Sequence, residues 1–462
     1  FASALLAWNV AADIHAQSPN PPVKNPTSVP VPPPADPFVR EGSSDTRLPR
    51  GQTKNATTNP AATPPVNLLV MLETWSLSQN DLAALLDGPP HERLPYDRLE
   101  ELAKAGKAKL IGLMAVTGKS QQRYVVESVD ELRYPTEFMP ADRAGELTFP
   151  TAWETRNTGE TLEIEAFLDA DGKRIDVNLV PQSTEFDGFR DWKAEEASGP
   201  VAQPQFHTEK LTTSMALESG RPAFLATATR VDEHGERQTR LRALRITAQE
   251  IPAIPPASAS AASTAARVEF LVYSLDRELA RHILADSTNS AQSYAAVRER
   301  LEKGEAQLEI ASAFVTKSGQ RAINEEILEF RYATTTSAPS NGPVSTPPQP
   351  RVPASVAAFE TRNTGVTVEI EPVLSEDFRS IEVNAVPQIV QFAGMLKANG
   401  IAAKYPPSPV FTTRKVTTSV SCAAGVPAFF GTYSQPRETG VNERKDDNRT
   451  SLGYIRVTPL RP

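Results

Sequence analysis

The hexapeptide Glu154–Gly159 (ETRNTG) recurs letter for letter at Glu360–Gly365, 206 residues downstream. The same offset holds at Asn178/Asn384, Pro181/Pro387, Phe186/Phe392 and Gly188/Gly394. Upstream, Lys119-Ser120 answers Lys317-Ser318 and Arg133-Tyr134 answers Arg331-Tyr332, at an offset of 198. Downstream, Lys210 and Thr212-Thr213-Ser214 answer Lys415 and Thr417-Thr418-Ser419, at 205, as do Pro222-Ala223-Phe224 and Pro427-Ala428-Phe429. Self-similarity held this long constrains a fold more than composition does, because both copies must suit one architecture. The expected fold class is therefore α+β, a tandem duplication of one unit. The jump in offset from 198 to 206 places an eight-residue insertion between two blocks of the second copy.

Each copy carries the same periodicities. A short apolar strand opens it, at Asn67–Leu72 or Val268–Tyr273. Ser76 and Ser274 then stand where helix N-caps are expected, ahead of the apolar runs Leu82–Leu86 and Leu279–Leu284. A second helix is marked by Leu99 and Leu102, or Val297 and Leu301, ending near Gly106 or Gly304. A strand pair follows, Lys109–Val116 and Arg123–Leu132, making a small strand-helix-helix-strand-strand layer. Antiparallel β-hairpins complete the unit. In the first, Leu162, Ile164 and Ala166 alternate with Glu163 and Glu165, Asp169–Gly172 turns, and Ile175, Val177 and Leu179 alternate with Asp176 and Asn178. Period two on both arms predicts one buried and one wet face. A second hairpin is expected over Lys210–Ala226 with its turn at Ser219-Gly220, and a closing strand at Arg240–Thr247 or Leu452–Thr458.

Proline-rich tracts separate these blocks. Phe1–Val10 is apolar and small-residue rich and precedes Ile14-His15-Ala16, so residues 1–16 read as the surviving end of a secretory signal peptide. Residues 17–65 have few large apolar side chains and read as a disordered, Pro-rich tether. The first unit is then expected over 66–250, a Pro/Ala/Ser linker over 251–266, and the second unit over 267–460 with a Pro-rich insert at 334–353. Nothing in the sequence has the length and apolarity of a transmembrane helix.

A formal net charge of -8, without a basic stripe, argues against nucleic acid as a partner. Cys422 is the single cysteine, which rules out a disulfide within the chain and reads as a core residue. The run Gly112–Ser120 (GLMAVTGKS) imitates a P-loop, but has five residues between its glycines where four are needed, and its second copy lacks both. The five histidines (His15, His91, His207, His234, His282) show no metal-ligand spacing. Glu163 with Glu165, and Glu369 with Glu371, are paired carboxylates on one strand face, a pattern compatible with acid-base work or calcium but expected here as solvated strand edge. Trp75, Trp153 and Trp192 occur only in the first copy and read as packing residues. No catalytic, cofactor-binding or metal residue is assigned, and no cofactor is expected.

The run Phe359–Pro372 (FETRNTGVTVEIEP) followed by Val383–Pro387 (VNAVP) resembles the C-terminal homology domain of bacterial secretins, the ring proteins of type II and type III secretion systems. The likeness extends to divergent secretin-like proteins of Planctomycetes and Verrucomicrobia, through Arg133–Phe138 and Lys317–Arg321. It implies an exported, non-enzymatic structural or secretion-associated protein of the periplasm or outer membrane of a Gram-negative-type bacterium. Its implied partners are itself or other envelope and secretion proteins, with membrane association through assembly only. The sequence also departs from that family: it shows no convincing membrane-inserted amphipathic hairpin, and two copies per chain are unusual for a ring subunit. The runs Pro222–Thr227 and Pro427–Thr432 lack the paired glycine of secretins, and Glu163, Glu165 and Asp176 would be costly against lipid. The alternative expectation is a monomeric binding module with specificity in the loop Asp187–Gln205.

Overall fold

The computed structural model describes residues 66–87, 96–139, 148–192, 200–231, 237–252, 265–337, 355–396, 398, 400–402, 405–436 and 448–460. The signal remnant, the tether and most of the linker and insert lie outside the described residues. The first half runs β1 (Val66–Leu77), α1 (Gln79–Leu86), α2 (Tyr96–Lys104), β2 (Ala108–Lys119), β3 (Arg123–Met139), β4 (Phe149–Leu168), β5 (Arg174–Trp192), β6 (Val201–Lys210), β7 (Thr213–Glu218), β8 (Ala223–Val231) and β9 (Arg237–Glu250). The second half runs β10 (Ala265–Asp276), α3 (Arg277–Asp286), α4 (Ser290–Glu302), β11 (Ala306–Lys317), β12 (Ala322–Ser337), β13 (Ser355–Leu374), β14 (Ser380–Met395), β15 (Pro409–Ala423), β16 (Ala428–Thr432) and β17 (Arg449–Pro459). The element order of the first half returns in the second, with β6 and β7 answered by the single strand β15.

Strands dominate, and they form two antiparallel sheets. One is ordered β11-β10-β17-β16-β2-β1-β9-β8, the other β12-β13-β14-β15-β3-β4-β5-β6, with β7 also on β5. Between the sheets lies a core in which every second residue points inward: Leu162, Ile164 and Ala166 from β4 meet Leu68 and Val70 from β1. The helices cover the other face of the first sheet, where Trp75, Leu85 and Leu99 form one cluster and Tyr273, Leu284 and Val297 another. Helix, sheet and sheet thus make three layers, each boundary sealed by apolar side chains.

Several expectations hold in detail. The β4–β5 hairpin pairs Leu168 with Ile175 and Ile164 with Leu179, and β13–β14 repeats it with Leu374 opposite Ile381. Gly106 and Gly304 follow the second helices with positive φ, at 70° and 74°.

Others are corrected. Ser76 and Ser274 are strand residues; the helix caps lie two residues further on. Ser78 accepts from the Asp81 amide and Asp276 from that of Leu279. The opening strands are longer than their apolar runs suggest because both edges are paired. The expected Lys210–Ala226 hairpin does not form: β7 pairs with β5 in one sheet and β8 with β9 in the other. Ser219-Gly220 is a crossing point, held where the Gly220 amide donates to Ile246 O and the Ala248 amide to Ser219 Oγ. In the same way β2 and β3 sit in different sheets. The helical layer and the hairpins are therefore interleaved within each half, and the fold is mostly sheet.

Candidate functional site

The chemical look-alikes resolve into structure. Gly112–Lys119 belongs to β2, with its backbone in the ladder to β1, and Lys119 pairs with Glu382. Gly118 is required because a Cβ there would collide with the Tyr124 ring. Glu163 is paired with Arg123 and Glu369 with Arg321, the same contact in both halves on the outer sheet face. His207 lies 3.8 Å from Glu209, and His282 stands 3.1 Å from the Arg281 guanidinium. His15, His91 and His234 are outside the described residues. Among the described residues no group of three or more His, Cys, Asp or Glu is placed to hold a metal.

Cys422 is buried, and burial pushes its thiol up to about 12. Trp75 is fully buried, with Nε1 donating to Glu73 Oε2 at 3.0 Å. Arg133 lies over Trp153, and Trp192 is exposed beside Arg190. Of the loop offered as a specificity segment, Asp187–Trp192 and Val201–Gln205 are strand. Residues 193–199 are outside the described residues.

Polar side chains also meet where the halves join. Strand β15 of the second half pairs with β3 of the first, from Val410 opposite Leu132 to Thr417 opposite Val125. Strand β16 meets β2 at Gly431 opposite Val116, and a Cβ on Gly431 would press on Val416. Both sheets therefore continue from one half into the other.

Side chains reinforce the seam. Arg362 donates from Nε to Glu131 Oε2 at 3.0 Å and from Nη2 to Glu131 Oε1 at 2.5 Å, while Thr413 Oγ1 donates to Oε1 at 2.7 Å. Lys415 Nζ lies 3.8 Å from Glu127. Asn67 both donates to Ser421 O at 2.7 Å and accepts from its amide at 3.0 Å, out of water. On the helical side Arg281 reaches across to Tyr96 Oη at 2.8 Å and Glu100 at 3.2 Å. Bidentate and buried bonds of this kind fix register as well as adding stability.

In the sequence Arg362 and Lys415 stand out only as repeat positions. The available signal was that charged residues recur in both copies among alternating strand positions, where a merely solvated face has no need to keep them.

No family model matches the chain, and no curated protein matches it. Among solved structures, the InvG secretin-domain β-barrel of the Salmonella SPI-1 injectisome is similar over 61% of this chain and 88% of that one, at 9% identity and a TM-score of 0.24. A likeness at that level does not fix the architecture, which rests on the pairings above.

The seam joins unlike edges. It sets the β15/β16 edge of one half against the β2/β3 edge of the other. The strands that answer these in the element order, β6 to β8 and β11/β12, end the two sheets on opposite sides.

Proposed function

We propose that this chain is an exported, non-enzymatic structural or secretion-associated component of the cell envelope. In this reading it arose by tandem duplication of a secretin-like module and assembles through its sheet edges. The observation that carries it is the seam: two continuous sheets are built by edge-to-edge joining of the halves, and the matching edges are left at the two ends. The sequence resemblance of Phe359–Pro372 to secretins supports the envelope setting.

The charged outer hairpin face, with Arg123–Glu163 and Arg321–Glu369, suits water or a polar partner rather than lipid. No described helix is long and apolar enough to cross a membrane. The reading therefore places membrane association in the assembly.

The test is to fractionate cells making the full-length chain, extract it from membranes in mild detergent, and image it in negative stain. Assemblies recovered from the envelope fraction support the reading. A strictly monomeric chain that pulls down no envelope protein would favour a monomeric binding module.

A further inference from the structure

Two end surfaces of the molecule share an unusual property: each repeats a set of side chains that is already engaged in the interior. At the seam, Glu127 and Glu131 of β3 meet Lys415, Arg362 and Thr413. At the offset of 198, Glu127 and Glu131 become Glu325 and Glu329, exposed on the terminal strand β12. At offsets of 205 and 206, Lys415, Thr413 and Arg362 become Lys210, Thr208 and Arg156, exposed at the opposite end. At these five positions the charge signs and the hydroxyl are kept, although the two surfaces are on opposite edges of the same molecule; Asp130 and Arg414, by contrast, become Leu328 and Glu209.

Burial differs in the sense an absent partner would produce. Val129, inside the seam, is 4% exposed, and its counterpart Ile327 is 38% exposed. Thr117 is fully buried, and its counterpart Val315 is 59% exposed. A terminal strand that carries apolar side chains this open is a pairing template. Beside it, Glu326, Leu328, Thr364, Gly365 and Val390 line an open groove of about 810 Å³. In the first half the corresponding place is covered: Ser128 Oγ donates to Ser434 O at 2.6 Å, and Pro436 lies against Gly159.

The bland alternative is that Glu325 and Glu329 are charges that block pairing, a common protection of sheet edges. The seam argues against it. The counterparts Glu127 and Glu131 lie on a paired strand and are met there by basic side chains. The edge strand on the other side shows the same relationship in its backbone. Where β15 is paired on both sides it runs unbroken, and its counterpart is split between β6 and β7 at Leu211-Thr212.

We infer that the partner of each end is a second copy of this chain, added head to tail. The β6–β8 edge of one copy pairs with the β11/β12 edge of the next, in the register of the interior seam. Val410 opposite Leu132 then translates to Gln205 opposite Phe330, and Lys415 opposite Glu127 to Lys210 opposite Glu325. A contact between unlike surfaces propagates, to a closed ring or an open fibre according to the rotation per step. Each chain contributes two modules to that series, so intermolecular and intramolecular seams alternate.

This inference rests on the reading of the chain as an edge-assembling protein, and its test separates the two. The full-length chain carrying both Thr208→Cys and Ile327→Cys, residues opposite each other in the inferred register, is oxidised under mild conditions. Antiparallel neighbours lie within reach of a disulfide. A ladder of covalent dimers, trimers and higher species is expected, and none from Gln205→Cys with Ile327→Cys, which is three residues out of register. Equal cross-linking by the out-of-register pair overturns the inference. So do dimers from Ile327→Cys alone, which would mean like edges pair, while leaving edge assembly standing. Monomers in light scattering at every concentration overturn both.

A charge reversal supplies a second arm. Glu329→Arg is exposed and should leave the fold intact while raising the concentration for half-assembly about tenfold or more, the equivalent of ~1.4 kcal/mol. Adding Arg156→Glu should restore it. An unchanged midpoint for the single variant, or no rescue by the double, overturns the pairing of these residues.

Discussion

Arg362 and Glu131 are 231 residues apart in sequence and form a two-pronged hydrogen-bonded ion pair across the seam, with Thr413 donating to the same carboxylate. Both side chains are partly exposed, so solvent screens the pair, but the forked geometry keeps it stronger than a lone surface contact. A double-mutant cycle with Arg362→Ala and Glu131→Ala should give a coupling of about 0.5–2 kcal/mol in urea unfolding. Additive effects of the two single changes would mean that the pair contributes nothing to holding the halves together.

The glycine of the ETRNTG repeat has a backbone reason to be there. Gly159 and Gly365 sit at φ of 114° and 128°, where other residues are strained, and a Cβ would collide with the carbonyl of Ser128 or Glu326 on the neighbouring strand. Gly159→Ala should cost more than about 2 kcal/mol, measured as a shift in the denaturation midpoint, because strain and overlap act together. A loss below 0.5 kcal/mol, itself about the scatter of a surface substitution, would refute that close approach.

Glu73 is buried beside Trp75 and Tyr96, with Tyr96 Oη donating to Oε2 at 2.5 Å. Burial raises its carboxyl above the ordinary value of 4.5, against the hydrogen bond from Tyr96 and the nearby Arg281 charge. A carboxyl raised in the folded state binds its proton more tightly there than in the unfolded chain. Stability from this group is therefore full below 4.5 and declines as pH rises through the raised value, by up to about 1.4 kcal/mol per pH unit. Glu73→Gln should flatten that decline in urea midpoints measured from pH 4 to 8. An identical pH profile in the variant would show that Glu73 does not titrate in this window.

Cys422 faces the core between the sheets, as does Leu217, its counterpart in the first half. Burial and the pH needed to form its thiolate both oppose reaction. Ellman's reagent at pH 8 should leave the native chain unlabelled over an hour and modify one thiol per chain in denaturant. Rapid labelling of the native protein would place the residue at the surface.

The β4–β5 hairpin and the ends of the second helices were legible because each depends on neighbours close in sequence. Leu162, Ile164 and Ala166 must alternate with polar residues if one face is dry and the other wet. Gly106 and Gly304 mark helix ends through their own backbone freedom. The cap positions were misread by two residues, since Ser76 and Ser274 are as good capping residues as Ser78 and Asp276. What excludes them is that β1 and β10 are paired on both sides, a fact of the sheet.

The sequence by itself determined the internal repetition of its letters and the alternation of the strand faces. Those are properties of local pattern and composition, and local physics reads them directly. Only the tertiary structure decided that β7 and β8 part company at Ser219-Gly220, that both sheets cross the seam, and that Arg362 finds Glu131. Pairing of distant strands depends on which edges meet, and a charge such as that of Glu329 looks the same in a sequence whether it blocks an edge or awaits a partner. Its counterpart Glu131 finds a partner only because the seam brings Arg362 and Thr413 to it.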